Sequence, residues 1–233
     1  MWNDIVIYWQ QEHSIMTPMV RLLLESIWVT LYMTLVSTAL AYLLGLPMGI
    51  VMVVTDKDGL RPNKVIYRVL DITINIVRSV PFLLLLILVI PLTRAIVGKV
   101  YGPTATIIPL VLAAAPFIAR MVESSLLEVD KGVIEAAQSM GADLWTIIWK
   151  VMLAEARTSL IVGATIVLGT ILGYSAMAGI VGGGGLGDVA IQYGYYRYEA
   201  EVMWVSVVLL VAVVQIMQYA GTFLSRKLDK RVR

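Results

Sequence analysis

Three places in this chain carry residue types that could do chemistry. Ser175, in the stretch GYSAM, would need a partner base to act as a nucleophile, and the only histidine is His13, far away in sequence. The glycines of GGGGLG, at Gly182, Gly184 and Gly187, match a dinucleotide-binding spacing. No strand precedes them, so turning of the chain and close helix contact explain them better. Arg78 lies within an apolar run one turn before Pro81. There a guanidinium could cap carbonyls freed by the proline, pair with an acid on a neighbouring helix, or face a route through the protein and receive a carboxylate. Cysteine is absent and histidines and carboxylates do not cluster, which argues against thiolate nucleophiles, disulfides and ordinary metal sites. No glycine loop carries a Walker lysine, so nucleotide must be handled elsewhere.

The elements that hold these residues are membrane helices. Of 233 residues, 59% are hydrophobic and 15% charged, with a mean hydropathy of +0.85, against about half apolar and a quarter charged in soluble domains. Uncharged runs cover 26–55, 100–119, 158–187 and 202–225, each meeting the roughly 20 residues a spanning helix requires. A fifth run, 69–96, is interrupted only by Asp71, Arg78 and Arg94. The apolar pattern is continuous rather than alternating, which predicts an all-α integral membrane fold with five spans. Thr17 to Glu25 either extends the first helix or lies at the outer surface.

Net charge is +2, too small to imply nucleic acid, but the bases are unevenly placed. Lys57, Arg61, Lys64 and Arg68 follow the first span, Lys131, Lys150 and Arg157 lie between the third and fourth, and the last span ends in Arg226, Lys227, Lys230, Arg231 and Arg233. Alternate loops hold only Arg94, Lys99 and Arg197. The positive-inside rule then predicts an outside amino terminus and a cytoplasmic carboxyl terminus. A basic signal-peptide n-region is missing, so the first helix is read as retained. With no internal repeat, the chain reads as residues 1–18, an extracytoplasmic segment, and 19–233, one membrane domain.

Between spans three and four, EAAQSMGADLWTIIWKVML occupies 135–153. Asp130 can cap a short helix with Val133, Ala136, Ala137 and Met140 on one face. Gly141 supplies a left-handed stop. Asp143 can cap a second helix whose apolar positions are Leu144, Ile147, Ile148, Val151 and Met152, with Trp145 and Trp149 suited to the headgroup layer. Two amphipathic helices resting on the membrane satisfy this periodicity. An alanine-rich face gives lipid little area yet admits another backbone closely, so docking into a protein groove is the competing reading.

The order Glu135, Ala136, Ala137, Gly141, Val151, Leu153 resembles the EAA loop of ABC importer permeases, with Val151 where isoleucine is usual and Ala154 where proline is usual. NIVRSVPF (75–82), APFIARMVESSLLEV (115–129), GYSAMAGIVGGGGLGDVAIQYGY (173–195) and EVM (201–203) are similar to the methionine-import permeases. The resemblance implies a coupling helix, formed by Glu135, Ala136, Ala137, Met140, Gly141, Val151 and Leu153, that fits a cleft in a cytoplasmic ATPase. It implies a permease homodimer, two ABC ATPase subunits that bind ATP and magnesium, an extracytoplasmic substrate-binding protein, and methionine, L or D, as cargo. This chain would bind no cofactor itself and do no covalent chemistry. Arg78, Ser79, Pro81, Tyr174, Ser175 and Met177 are candidates for the translocation path, although for Tyr174, Ser175 and Met177 helix packing is the slightly favoured account. An ATP-independent carrier or channel, or a permease for another small amino acid, is the alternative.

Overall fold

The computed structural model describes residues 2–228, and these are helical almost throughout. α1 (Trp2–Thr55) is a single long helix whose apolar part is Pro18–Thr55, so the stretch ending at Glu25 extends the first helix. Then come α2 (Lys64–Ser79), α3 (Phe82–Leu88), α4 (Ile90–Val97) and α5 (Pro103–Leu127). The connection beyond α5 contains α6 (Lys131–Ser139), α7 (Leu144–Thr146), a π-helical turn (Ile147–Met152) and α8 (Leu153–Glu155). α9 (Arg157–Ala178), α10 (Gly185–Val189) and α11 (Ala200–Leu228) complete the chain.

Among the described residues four helices are long and apolar enough to cross a membrane, within α1, α5, α9 and α11, and the count reaches five when the bent pair α2 and α3 is taken as one span. The 69–96 run is therefore not the straight span its hydropathy predicts. α2 and α3 meet at 103°. The cause is Pro81, which has no backbone N–H and holds the preceding Val80 extended, at φ −81° and ψ 122°. Pro91, in the first turn of α4, marks the next break, where it offers no N–H to continue the ladder and Val89 stands at φ −90° and ψ 6°. Backbone freed at membrane depth is tolerated where protein or a cavity covers it.

The bundle centres on α1 against α5. Gly45 and Gly49 are four apart on α1, and a Cβ on either would stand 2.6 Å from the carbonyl oxygen of Ala115 or Ala119. Such small-residue spacing lets two helix backbones touch where lipid tails are as apolar as leucine and burying leucine gains little. Around this seam Met33, Leu110, Ile118, Val122 and Ile171 are fully buried.

α2 is held to α5 by charge. Arg120 pairs with Asp71 on α2 and, at 2.8 Å, with Glu123 on its own helix. The Tyr67 hydroxyl donates to Glu123 at 3.1 Å and the Asn75 amide to Asp71 at 3.1 Å. This network explains why α5 continues past Ala119, where its uncharged run ends, to Leu127. At the other end of the bundle the glycine run acts as turn and spacer. Gly182, Gly184 and Gly185 have φ between 74° and 87°, Gly182 accepts from the Gly102 N–H at 2.9 Å, and Leu186 N–H donates to the Thr30 hydroxyl at 2.9 Å.

Three substitutions separate these supports. Gly49→Val should cost about 1–3 kcal/mol through overpacking, lowering the melting temperature of the purified protein, while Gly173→Ala, with open space around it, should leave it unchanged. Arg120→Gln strands two carboxylates. It should lower stability by up to about 3 kcal/mol, read as a lower melting temperature and reduced because Asp71 is one-third exposed.

Candidate functional site

α6 is capped as its sequence requires. The Asp130 carboxylate accepts from the Gly132 N–H at 2.7 Å. At the other end Gly141, at φ 77°, lets its N–H reach the Gln138 carbonyl and lets the Ala142 N–H reach the Ala137 carbonyl, at 2.9 and 3.1 Å. Those two bonds make a Schellman motif, which fixes the direction of exit from the helix.

The expected apolar face of α6 divides. Ala137 is buried, with Ile134 partly buried beside it, against Ile147, Ile148 and Met152. Val133, Ala136 and Met140 instead form a strip turned away from the protein, with Met140 81% exposed. Glu135 is exposed too, and it borders a cavity of about 240 Å³ lined also by Val53, Asp56, Lys131, Gln138 and Met152. A short helix therefore presents apolar side chains, a carboxylate and the bare Gly141 outward, while only Ile134 and Ala137 anchor it.

The second helix keeps its predicted inner face, with Ile147, Ile148 and Met152 buried and Leu144 and Val151 partly so. Trp145 and Trp149 are exposed. Asp143 stands at the N-cap in extended conformation but its side chain makes no cap hydrogen bond. The helix is not regular: from Ile147 to Met152 it widens into a π-helical turn, and the Leu153 N–H reaches back to the Ile148 carbonyl. Such turns occur often at functional positions. Ala154 lies within α8, and Ala156 leads straight into α9, its carbonyl accepting from the Leu160 N–H at 2.9 Å.

Four of the other candidates meet at the α2–α3 break. Arg78, Ser79 and Pro81 are exposed there. Among the described residues no carboxylate lies within salt-bridge reach of Arg78, whose guanidinium stands 5.9 Å from the centre of the Phe117 ring. The Ser79 hydroxyl donates to the Asn75 carbonyl at 2.7 Å. Pro81 is followed by Phe82, which is buried and stacked on Tyr174 with centroids 4.5 Å apart and planes 5° apart. Stacking of that kind adds about 0.5–1.5 kcal/mol beyond area burial. Met177 is half-exposed one turn along α9, whereas Ser175 is buried and donates to the Leu172 carbonyl at 2.7 Å. The structure thus brings Tyr174 to the break and turns Ser175 into the bundle. Phe82 and Phe117, which join these elements, lie in the stretches 75–82 and 115–129, but nothing in the sequence indicates their contacts.

Residues 41–233 match the family described as binding-protein-dependent transport system inner membrane component. The probable D-methionine transport system permease protein MetI of Vibrio cholerae is 51% identical over 210 residues, covering 90% of this chain and 93% of that protein. The methionine import system permease protein MetP of Bacillus subtilis is 45% identical over 177 residues, covering 76% and 80%. A chain from a structure of the MetNI methionine ABC transporter in inward facing conformations superposes with a TM-score of 0.90 at 47% identity, covering 91% of this chain and 99% of that one. With four-fifths of its length matched and relatives of this likeness, the chain belongs to the family of binding-protein-dependent transport system inner membrane components.

Proposed function

We propose that the chain is the permease subunit of an ATP-driven methionine importer in the cytoplasmic membrane. Support comes chiefly from its near full-length likeness to a chain of the MetNI methionine transporter, at 47% identity. Two copies form the pathway, because one bundle with a single projecting loop encloses no route of its own. Two cytoplasmic ATPase subunits receive the two loops, and an extracytoplasmic binding protein delivers substrate. The amino terminus lies outside and the carboxyl terminus inside, as the distribution of lysine and arginine favours.

The exposed strip of Val133, Ala136 and Met140 with Glu135 is the surface that enters the ATPase cleft. Val151 and Leu153 act behind it, packed into the bundle. ATP and magnesium are bound by the partner, and this chain contributes movement rather than covalent chemistry. The exposed groups at the α2–α3 break, Arg78, Ser79 and Pro81, with Tyr174 and Met177, line the route. An unpaired guanidinium there suits a substrate carboxylate, and Ser175 supports the helix behind it.

Proteoliposomes containing permease, ATPase and binding protein test this directly. Labelled methionine should accumulate only with ATP, and uptake that persists without the ATPase would favour an ATP-independent carrier. Replacing Glu135 with Leu, or Gly141 with Val at its left-handed φ, should reduce ATP-driven uptake on the order of tenfold while membrane insertion stays normal. Arg78→Ala should lower uptake and leave the melting temperature in place, the opposite of what Arg120→Gln does.

A further inference from the structure

At the end of α1 that leads into the Asp56–Asn63 loop, α1 and α2 leave an apolar groove of about 460 Å³ between them. Pro47, Met48 and Val51 form one wall and Val65, Val69 and Leu70 the other. Val65 is 72% and Val69 59% exposed. An apolar surface this open needs an apolar cover.

Next to the groove, the loop and the first turns of α2 carry three bases, Arg61, Lys64 and Arg68. Two backbone bonds pin the loop to the end of α1, from Arg61 N–H to the Val54 carbonyl and from Asn63 N–H to the Thr55 carbonyl, both 2.9 Å. Arg61 is thereby held beside the first residue of α2, Lys64, and Arg68 follows one turn later on the face of Lys64. All three are exposed, and among the described residues none has an acidic partner within salt-bridge reach. Of the nearby acids, Asp58 lies 4.0 Å from Lys57, Asp71 is engaged by Arg120, and Asp56 begins the loop. The amino-terminal end of the α2 dipole adds the same positive sign.

We propose that this groove is a binding site for an anionic phospholipid, one acyl chain lying between α1 and α2 and the phosphate held by Arg61, Lys64 and Arg68. The lining has almost no polar group to fix a peptide, which favours hydrocarbon. A two-fold contact through the same patch would set these cations against their own copies, which disfavours a second permease. Basic pockets between membrane helices on the cytoplasmic side recognise such headgroups. The inference goes beyond the transport reading but uses its topology, with the end of α1 at the cytoplasmic surface.

Its test uses the intact permease–ATPase assembly and native mass spectrometry, titrating phosphatidylglycerol and phosphatidylcholine of identical chains. Wild type should retain phosphatidylglycerol selectively, and less so as salt rises. The combined substitution Arg61→Gln, Lys64→Gln, Arg68→Gln should weaken that binding on the order of a hundredfold, while Arg61→Lys, Lys64→Arg, Arg68→Lys retains it. Val69→Trp should reduce binding by filling the groove without altering charge. Equal retention of both lipids by wild type, insensitivity to salt, or unchanged binding by the Gln variant would overturn the proposal. So would disulfide crosslinking between the two permeases through cysteines placed at 65 and 69. None of these readouts requires methionine transport, so failure of the transport reading would show separately.

Discussion

The close approach of α1 and α5 is the constraint on which the other elements depend. In hydrocarbon, helices gain little by hiding leucine from lipid, so attraction comes from backbone contact and from polar groups. Gly45 and Gly49 supply the first, standing against the carbonyls of Ala115 and Ala119. This contact places the end of α1 next to the end of α5, and Val53 and Leu126 from those ends line one cavity with Ile134 and Glu135 of α6. The position of the projecting loop thus follows from two glycines about one and two helical turns before Val53 on α1.

With that frame fixed, the chain can carry a broken segment. Pro81 leaves the α2–α3 junction without a continuous hydrogen-bond ladder. The break is held from both sides, by the Arg120, Asp71 and Glu123 ion pairs on α2 and by the Phe82–Tyr174 stack on α3. Between the two anchors Arg78, Ser79 and Pro81 stay exposed. Irregular backbone at this depth is tolerated where it lines a cavity, which is the arrangement a passage between two copies of the bundle would supply.

Much of this was legible in the residues themselves. Uncharged runs located α1, α5, α9 and α11, and Asp130 and Gly141 announced the ends of α6. Hydropathy alone misread 69–96, because a sum over side chains does not register what Pro81 does to the backbone. Helical periodicity grouped Val133, Ala136, Ala137 and Met140, yet it could not tell that Ala137 turns inward while the other three turn outward. A spacing of three lets Arg120 and Glu123 pair on one helix, but Asp71 lies 49 positions from Arg120 and only the packing of α2 on α5 joins them. The π-helical turn at Ile147–Met152 has no sequence mark at all. Ser175 illustrates the remaining ambiguity of a polar residue in a span, since its hydroxyl is satisfied by the Leu172 carbonyl of its own helix.

In the proposed mechanism, force must travel from the exposed strip of α6 to the route at the break. Contacts for this are continuous: Ala137 rests on Ile147 and Met152, the π-helical turn leads through α8 into α9, and α9 carries Tyr174 to Phe82 beside Pro81. Close-packed cores switch between discrete arrangements rather than deforming smoothly, so displacement of α6 shifts α9 as a body. Driving such a two-state balance from one extreme to the other needs a preference of about 5.5 kcal/mol. A helix anchored by so little buried surface cannot provide that itself. The energy has to come from a partner that binds one arrangement better, and the Schellman turn at Gly141 with the short link from Leu127 to Asp130 keeps α6 stiff enough to deliver it to both spans at once.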